Sequence, residues 1–343
     1  MTTDAVGGVW TYSRELADAL AAEDVEVVLA VLGPPPPEPI GERHETHARR
    51  GRLEWQEDPW DDVAAAGEWL LDLAAEVRPD VVHLNDYAHG ALDWPMPSLV
   101  VGHSCVLSWW EAVRGEQAPR EWERYRTVVR AGLRGADDVV APTAAMLGAL
   151  RRLYALGDRG NVIANGIHPH LESAPKEPIV LGAGRLWDPA KALDALDGAA
   201  RGLEWPVLVA GDAGGREPEH AVALGRLGRA AVHAQMCRAA IFAHPARYEP
   251  FGLAPLEAGL AGCALVLGDL PSLREVWGDA ATYVAPGDPS ALRAQLDALI
   301  DARPRRQRLG AAARVRALSF GADRMARAYA ARYRSLSREA LPA

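Results

Sequence analysis

Cysteine is scarce in this sequence, and no long hydrophobic run occurs in it. Three cysteines in 343 residues are too few for a disulfide framework, and they lack the spacing of metal ligands. No window reaches the ~18 uncharged apolar residues that a transmembrane helix needs. Asp4 and the Gly7–Gly8 pair interrupt any apolar stretch of the kind that opens a signal peptide. These absences predict a chain of the reducing cytoplasm without a transmembrane segment. The cysteines are Cys105, Cys237 and Cys263.

Basic residues are fewer than acidic residues, and lysine is especially rare. The formal net charge is −9, whereas a protein that binds nucleic acid needs a basic face, so the sequence argues against a nucleic-acid partner. Only two of the 37 basic residues are lysines, Lys176 and Lys191. In a composition that leans toward alanine, arginine, glycine and proline, such rare residues indicate where a site is worth seeking.

Length and pattern favour two α/β domains. A chain of 343 residues exceeds what one ordinary core needs and suits two. Short apolar runs without polar alternation, such as residues 179–182 and 264–267, alternate with helix-period segments. Such runs are typical of strands buried on both faces of a parallel sheet, so the alternation predicts doubly wound sheets. Only six residues precede Gly7, so a first strand there is either a stub or missing.

A break in the pattern predicts the domain boundary. Residues 168–178 carry three prolines and no periodicity, which is typical of a linker. We expect a first domain over residues 1–167, a linker over 168–177 and a second domain over 178–318. The remaining residues, 319–343, include an amphipathic helix.

Two glutamates within residues 248–257 form the strongest motif. Glu249 and Glu257 bracket seven residues after an apolar strand, and Gly252 allows the backbone to approach a ligand closely. A helix that opens there directs its free N–H groups and its positive end at an anion. We expect Glu249 in the loop beside the anion and Glu257 two turns deeper. One carboxylate would grip sugar hydroxyls and the other a ribose; an acidic loop with a helix-face glutamate is the alternative.

Residues 182–191 combine two cations directly after a predicted strand. Arg185 offers a bidentate fork and Lys191 a point charge, so both can converge on a diphosphate. The rival interpretation is a dinucleotide fingerprint, because a Gly-x-Gly sequence follows the strand. Trp187 stands where the third glycine should be, and no clear acidic ribose residue follows, which disfavours a nicotinamide oxidoreductase.

The first half of the chain offers weaker candidates. The Gly7–Gly8 turn opens a helix that carries Trp10 and Tyr12, and such a turn admits a phosphate or substrate close to the backbone. A plain turn between a strand and a helix is an equally good interpretation.

Polar side chains also follow two strands of this first half. Asp86 and His103 come after predicted strands, whose carboxyl ends line the crevice where open α/β sheets bind ligands. A lone histidine is more often a satisfied core residue. Trp109 and Trp110 suggest an acceptor wall, or ordinary packing under a helix. The histidine pairs at positions 44 and 47 and at 168 and 170 lie in predicted loops without further ligands, so no metal site is expected.

Taken together, these motifs resemble glycosyltransferase family 4, the retaining nucleotide-sugar enzymes of GT-B fold. The matching features are the paired glutamates, Arg185 with Lys191, the Asn165–Gly166 turn before the linker, the Gly7–Gly8 turn and His103 at a strand end. They lie in the family's order and cover nearly the whole chain. The resemblance implies two Rossmann-like, doubly wound domains that face a central cleft, with a C-terminal helix crossing back to the first domain.

The resemblance also implies a role for each matching residue. Its donor would be a nucleotide-diphosphate sugar, with Arg185 and Lys191 as the diphosphate cations and Glu257 on the ribose. Glu249 and the backbone of Phe251, Gly252 and Leu253 would contact the sugar and the β-phosphate. From the first domain, Gly7, Gly8 and His103 would complete the site. The catalytic set implied in this way is His103, Arg185, Lys191 and Glu249.

For the acceptor, the same resemblance places candidate contacts in the first domain. The acceptor hydroxyl itself belongs to a small molecule, a glycan or a lipid-linked sugar. The expected acceptor contacts are Trp10, Tyr12, Asp86, Trp109 and Trp110.

The implied mechanism needs neither a cofactor nor a metal. Cations stabilise the departing nucleoside diphosphate, and the acceptor attacks the face that the leaving group vacates. A non-catalytic nucleotide- or sugar-binding scaffold of the same fold is the alternative. The condensed stretch at residues 211–231 leaves the recognition of the base open.

Overall fold

The computed structural model describes residues 1–5, 7–35, 43–171 and 174–339. The chain divides into two compact units. The first consists of Met1–Glu111, Gly115–His168 and Ala322–Ala343, and the second of Ala112–Arg114 and Pro169–Gly321. Residues 172 and 173 of the predicted linker lie outside the described residues.

All strands of the described residues pair in parallel. The first unit holds a three-stranded sheet, in the order β1-β2-β3, and a four-stranded sheet, in the order β4-β5-β6-β7. The second unit holds one six-stranded sheet in the order β10-β9-β8-β11-β12-β13, the doubly wound order of a Rossmann fold. The strands are β1 (Thr2–Asp4), β2 (Leu29–Leu32), β3 (Thr46–Arg49), β4 (Val82–Leu84), β5 (Ser98–Val101), β6 (Asp138–Ala141), β7 (Asn161–Val162), β8 (Glu177–Ala183), β9 (Val207–Ala210), β10 (Val222–Gly225), β11 (Ala239–His244), β12 (Ala264–Gly268) and β13 (Thr282–Val284).

Most successive strands are joined through α-helices, as parallel neighbours in one sheet need long connections. Short 3₁₀ turns extend several of them, including one at Pro189–Lys191. The α-helices are α1 (Gly8–Leu20), α2 (Trp60–Val77), α3 (Val106–Arg114), α4 (Glu123–Gly135), α5 (Ala144–Tyr154), α6 (Leu193–Ala200), α7 (Arg229–Arg238), α8 (Leu253–Leu260), α9 (Pro271–Trp277), α10 (Pro289–Asp301), α11 (Arg303–Ala317) and α12 (Ala322–Glu339).

The core of each unit lies between its strands and helices. In the first unit, Val100 and Val139 of the sheet pack with Leu133 of α4. In the second unit, Ile241 and Val266 pack with Leu296 of α10. The central strands β5, β6, β11 and β12 are buried along their whole length, so their apolar runs exclude water on both faces. The predicted α/β class with parallel sheets is therefore confirmed.

The C-terminal helix α12 packs on the first unit. Tyr329 and Met325 of this helix are buried, and the Met325 thioether lies 3.2 Å from the Gly166 amide. Arg332 forms an ion pair with the buried carboxylate of Asp138, with 2.6 Å between Nη2 and Oδ2. The helix thereby covers an apolar face and neutralises a charge at the start of β6.

Local details add to the predicted pattern. The first strand exists as the three-residue stub β1, one of the two outcomes that the sequence left open, and it pairs with β2. Of the two edge strands β3 and β10, β3 has no apolar run to reveal it, whereas β10 is largely apolar but exposed. Lys191 lies on a 3₁₀ turn, because Ala192 has a φ of 52° and interrupts the helical path before α6.

Candidate active site

Lys191, His244 and Glu249 form a buried cluster in the second unit, called here the Lys191 cluster. The Glu249 Oε2 atom lies 2.7 Å from Lys191 Nζ and 3.0 Å from His244 Nε2. Only 15% of the Lys191 side chain and 13% of the Glu249 side chain are exposed. His244 ends β11, and Glu249 lies in the loop that follows this strand. The cluster therefore lies at the carboxyl end of the sheet, where open α/β folds bind ligands.

The charges of this cluster control its protonation. Burial by itself would raise the pKa of Glu249, but the Lys191 ammonium and the hydrogen bonds from His244 and Lys191 outweigh it, and the pKa lies well below its ordinary value. Burial lowers the pKa of His244. Glu249 is thus an ionised carboxylate at neutral pH, and His244 is a neutral imidazole that donates through Nε2.

Neighbouring residues hold both ends of the ion pair in place. Asp188 caps the 3₁₀ turn that carries Lys191, and its Oδ1 atom accepts a hydrogen bond of 2.9 Å from the Ala190 amide. Ser272 of α9 donates through Oγ to the backbone carbonyl of Glu249 at 2.5 Å. Sequence reasoning missed Asp188, which lies within the motif of residues 182–191 but was given no role, and it missed His244 and Ser272, which come from other elements.

A glycine sets the start of the helix after Glu249. Gly252 has a φ of 93° and is the N-terminal cap of α8, so Leu253 is the first helical residue. Phe251 is buried and packs edge-to-face on Phe320, with ring centroids 5.8 Å apart. Glu257 is the fifth residue of α8, about one turn from its start. The expectation of two turns is therefore corrected: the left-handed Gly252 delays the helix.

Glu257 has its own set of partners. Its Oε1 atom lies 3.0 Å from His233 Nε2 and 3.4 Å from Arg229 Nη2, both on α7. The other ring nitrogen of His233, Nδ1, lies 3.2 Å from Nε2 of His170. Sequence reasoning did not find His233, because α7 shows no marked polar motif. This carboxylate is held in orientation by two donors of the neighbouring helix.

Arg185 has partners other than the ion pair of the Lys191 cluster. Its Nη2 atom is 3.6 Å from the Asp188 carboxylate, and its guanidinium lies 5.6 Å from the ring centre of Trp187. With 41% of its side chain exposed, Arg185 retains donors that face solvent. The structure thus pairs Lys191 with Glu249 and Arg185 with Asp188.

His103 belongs to a second buried cluster, which lies in the first unit. The His103 cluster consists of Tyr12, His83, Asn85, His103 and Tyr333. The Nε2 atom of His103 lies 2.8 Å from Oδ1 of Asn85, and the Tyr12 ring packs edge-on against the His103 ring at 4.4 Å. Burial lowers the pKa of His103 to about 3, so this imidazole is neutral over the whole physiological range.

Two of the expected acceptor contacts are corrected by their burial. Tyr12 is 1% exposed and Trp10 is 7% exposed. Both side chains lie on the inner face of α1, so they support the fold in place of touching a substrate. The Tyr12 ring packs on His103, and its hydroxyl lies 3.4 Å from Nε2 of His83.

The other expected residues of the first unit have the following positions. Asp86 lies 2.6 Å from His89 Nδ1 and 2.9 Å from Thr2 Oγ1, and although burial opposes it, the charge of His89 lowers the pKa of Asp86. Trp109 and Trp110 lie on α3, are half-buried and pack edge-to-face with centroids 5.8 Å apart.

The glycine pair begins the first helix. Gly7 has a φ of 75° and caps α1, and Gly8 is the first residue of that helix. Both glycines are exposed. A side chain at Gly7 would have to adopt the left-handed region, so this turn favours glycine for its backbone conformation.

Two features are absent from the residues that the structure describes. Among them, no three histidine, cysteine, aspartate or glutamate side chains come together as a set that could hold a metal ion. Within the same ranges, no helix is both long and apolar enough to cross a membrane.

Comparisons with known proteins assign the two halves. The family "Glycosyltransferase Family 4" matches residues 6–171, and the family "Glycosyl transferases group 1" matches residues 167–316. A glycogen synthase of Mycobacterium tuberculosis is 27% identical over 373 aligned positions, which cover 92% of this chain and 87% of the relative.

Solved structures agree in fold over nearly the whole chain. Sucrose-phosphate synthase from Thermosynechococcus elongatus superposes with a TM-score of 0.82 at 20% identity, covering 99% of this chain and 96% of that one. The Anabaena protein HepE in complex with UDP-glucose superposes with a TM-score of 0.75 at 17% identity, covering 98% and 99%. The chain has their fold of two Rossmann-like domains, and with both family matches in sequence order it belongs to the family 4 glycosyltransferases.

Proposed function

We propose that this glycosyltransferase transfers a sugar from a nucleoside diphosphate sugar to an acceptor hydroxyl, with retention of configuration and without a metal ion. The observation that carries the proposal is the buried Lys191–Glu249 ion pair at the carboxyl end of the second sheet. The names of the relatives support the donor class, because one is a glycogen synthase and another was solved with UDP-glucose.

Lys191 can bind the diphosphate while it stays paired with Glu249. An ammonium group carries three N–H donors, and the 2.7 Å bond to Glu249 uses one of them. A phosphate oxygen can accept another, and the exposed donors of Arg185 add a second cation. Both charges would then stabilise the negative charge that develops on the leaving nucleoside diphosphate.

The two glutamates would divide the donor between them. We assign Glu249 to the hydroxyls of the transferred sugar, since its ionised oxygens only accept hydrogen bonds and sugar hydroxyls donate them. We assign Glu257 to the ribose, oriented by His233 and Arg229. The β-phosphate would lie at the start of α8, where the backbone amides of Gly252 and Leu253 have no acceptor within the helix.

Retention is proposed through attack on the face that the leaving group vacates, without a covalent intermediate on Glu249. Its depressed pKa and its two hydrogen-bonded partners make it a weak nucleophile and a weak base. We therefore assign no covalent intermediate to it. The acceptor hydroxyl would attack the face that the diphosphate leaves, and the leaving phosphate would take its proton.

Metal independence is proposed on the same two cations. In many phosphoryl and nucleotide enzymes Mg²⁺ neutralises the charge that develops on the diphosphate. Here Arg185 and Lys191 supply two positive charges from one short segment, residues 185–191.

The first unit would contribute groups for substrate hydroxyls and for the acceptor. We propose that His103 accepts a hydrogen bond from a substrate hydroxyl, and that the amides at Gly7 and Gly8 approach substrate. Asp86, Trp109 and Trp110 remain candidates for the acceptor. A cytoplasmic location is proposed as well, because three cysteines are too few for the disulfide framework that is typical of small secreted proteins.

A panel of UDP- and GDP-sugars, offered with glycan and lipid-linked acceptors, tests the proposal. We expect turnover, or slow donor hydrolysis, with one donor class, and an anomeric configuration that proton NMR finds unchanged in the product. Thermal-shift measurements with free UDP and GDP should find a binder, because a ligand at 100 times its Kd stabilises by about 2.7 kcal/mol. Binding without turnover or hydrolysis would instead favour a non-catalytic nucleotide- or sugar-binding scaffold.

A further inference from the structure

The His103 cluster extends from the end of β5 to the C-terminal helix. His103 Nε2 lies 2.8 Å from Asn85 Oδ1, and His83 Nε2 lies 3.2 Å from the same oxygen. The other nitrogen of His83, Nδ1, lies 2.6 Å from the Tyr333 hydroxyl of α12. Asn85 therefore joins two imidazoles, one of which is the proposed substrate contact.

The backbone around Asn85 decides which way its amide faces. The Asn85 Nδ2 atom lies 2.7 Å from the carbonyl oxygen of Thr2 and 3.3 Å from Oγ of Ser13. A carbonyl oxygen only accepts hydrogen bonds, so the amino group of Asn85 must point toward Thr2. The carbonyl end of the amide, Oδ1, consequently points toward the two histidines.

This orientation determines where the ring protons lie. Because Oδ1 of Asn85 only accepts, His103 must carry its proton on Nε2 in order to bond to it. A proton on Nε2 of His83 can bond to the same oxygen at 3.2 Å or to the Tyr12 hydroxyl oxygen at 3.4 Å. The Nδ1 atom of His83 is then an acceptor, and the Tyr333 hydroxyl donates to it at 2.6 Å. The proton on His103 Nε2 leaves Nδ1 of His103 as the acceptor of that ring.

The titratable groups that face these rings are neutral at physiological pH, including the Met1 amino group near His83, whose pKa burial lowers to about 5. Burial lowers the pKa of His103 to about 3 and that of His83 well below its ordinary value. Burial also raises the pKa values of Tyr12, Tyr329 and Tyr333, whose rings pack on the histidines. The cluster therefore holds one proton arrangement across the range in which an enzyme works.

We propose that Asn85 is a positioning residue that fixes the tautomer and the ring orientation of His103, so that His103 offers Nδ1 to a substrate hydroxyl as a neutral acceptor. Tyr333 supports the arrangement from α12 through His83. The inference rests on the proposed function for the substrate contact alone. The tautomer itself follows from hydrogen bonds within the first unit.

Nitrogen NMR of ¹⁵N-histidine-labelled protein tests the tautomer without any activity. We expect the His103 signals, assigned by their loss in His103→Gln, to report a proton on Nε2 and none on Nδ1 between pH 6 and 8. A proton on Nδ1, or a titration of His103 in this range, overturns the proposal, whatever donor the enzyme uses.

Asn85→Asp tests the consequence for catalysis. A carboxylate beside His103 should raise its pKa toward neutrality, and a charged ring has no acceptor to offer. We expect kcat at least ~10-fold below that of the wild type at pH 6 and within about 3-fold of it at pH 9, since each pH unit below a pKa is tenfold. A pH profile parallel to the wild type, at any overall level, overturns the proposal.

Two further variants complete the design. Gln56→Glu is the matched amide-to-carboxylate change in the same unit, because Gln56 Oε1 accepts a bond of 2.7 Å from the Leu53 amide that a glutamate can also accept; its profile should follow the wild type. If Asn85→Asp fails to fold, Asn85→Ala serves, and His103, without the Oδ1 acceptor, should then show a mixture of tautomers by NMR. A proton that stays on Nε2 of His103 in Asn85→Ala overturns the proposal. Nucleoside diphosphate affinity, measured by calorimetry, should stay within about 2-fold in every variant.

Discussion

The Lys191 cluster and the His103 cluster are both buried, hydrogen-bonded groups that follow parallel strands, yet one is charged and the other is neutral. In the Lys191 cluster an ammonium holds a carboxylate in its ionised form. In the His103 cluster burial keeps two imidazoles uncharged, and an amide decides where their protons lie. A charged cluster can stabilise charge that develops on a phosphate, whereas a neutral cluster can discriminate among hydroxyls. The comparison predicts that the two respond differently to changes of charge.

Removal of the Lys191 charge is expected to have the largest effect. Lys191→Ala should lower kcat/KM by at least ~100-fold, because a charged contact to a leaving diphosphate contributes about 3 kcal/mol in the transition state. Lys191→Arg should also be impaired, since a planar fork does not replace a point charge bonded to Glu249. Steady-state kinetics with the identified donor measure both. Near-normal activity of Lys191→Ala would show that this residue is not part of the site and that the Lys191 cluster does not stabilise the leaving diphosphate.

The same residue allows a test of stability against pH. Lys191→Met leaves a buried carboxylate without its main partner, which should lower the free energy of unfolding by about 3–5 kcal/mol at pH 7. In the wild type the depressed pKa of Glu249 contributes stability that is present above the unfolded value and is lost as pH falls below it. In the variant burial raises that pKa. The difference between the two proteins in urea unfolding should therefore shrink from pH 7 to pH 4.5, and Lys191→Met/Glu249→Gln should recover part of it.

The two glutamates should separate sugar from nucleotide. Glu249→Ala should lower kcat by ~100-fold, as loss of a contact to developing charge does, and leave the affinity for the free nucleoside diphosphate nearly unchanged. Glu257→Ala should weaken that affinity by about 1.5–3 kcal/mol, the range for a hydrogen bond to a charged group, and act through KM. Calorimetric titration of both variants decides the matter. If Glu249→Ala is the variant that loses nucleotide affinity, the assignment of the two carboxylates is reversed.

His233 should have a smaller effect, confined to binding. His233→Ala removes a hydrogen-bond donor from Glu257, so nucleoside diphosphate affinity should fall about 3- to 10-fold. His233→Gln, whose amide reaches as far as Nε2, should restore most of it. Neither should change kcat by more than about 2-fold, because the ribose is unchanged in the reaction. A loss in kcat would place His233 nearer the reacting atoms than its contact with Glu257 indicates.

Removal of divalent cations by a chelator should not change the rate. If Lys191 and Arg185 carry the charge of the leaving group, EDTA should leave the rate unchanged, and added Mg²⁺ or Mn²⁺ should not increase it. Assays on protein dialysed against EDTA measure this directly. Activity that EDTA abolishes and a divalent cation restores would show that two side-chain cations are not sufficient.

Much of the fold was predictable because the signals are local. The strands β6, β9 and β13 coincide with short runs in which apolar residues dominate, and the helix after Gly7 begins where the turn indicates. The short edge strand β3 was not predictable, since its residues carry no hydrophobic signal. The 3₁₀ turn at Lys191 depends on a positive φ at Ala192, a residue that gives no such indication.

By itself the sequence determined the α/β class, the order of the motifs and the residue types that carry charge: Lys191, Arg185, Glu249 and Glu257 stand in recognisable positions along the chain. Only the tertiary structure decided their partners. Lys191 meets Glu249 across 58 positions, and His83 meets Tyr333 across 250. Such pairs come from elements that the sheets and helices bring together, and no local pattern encodes them. Protonation followed in turn, because a pKa depends on burial and on the charge of these distant neighbours.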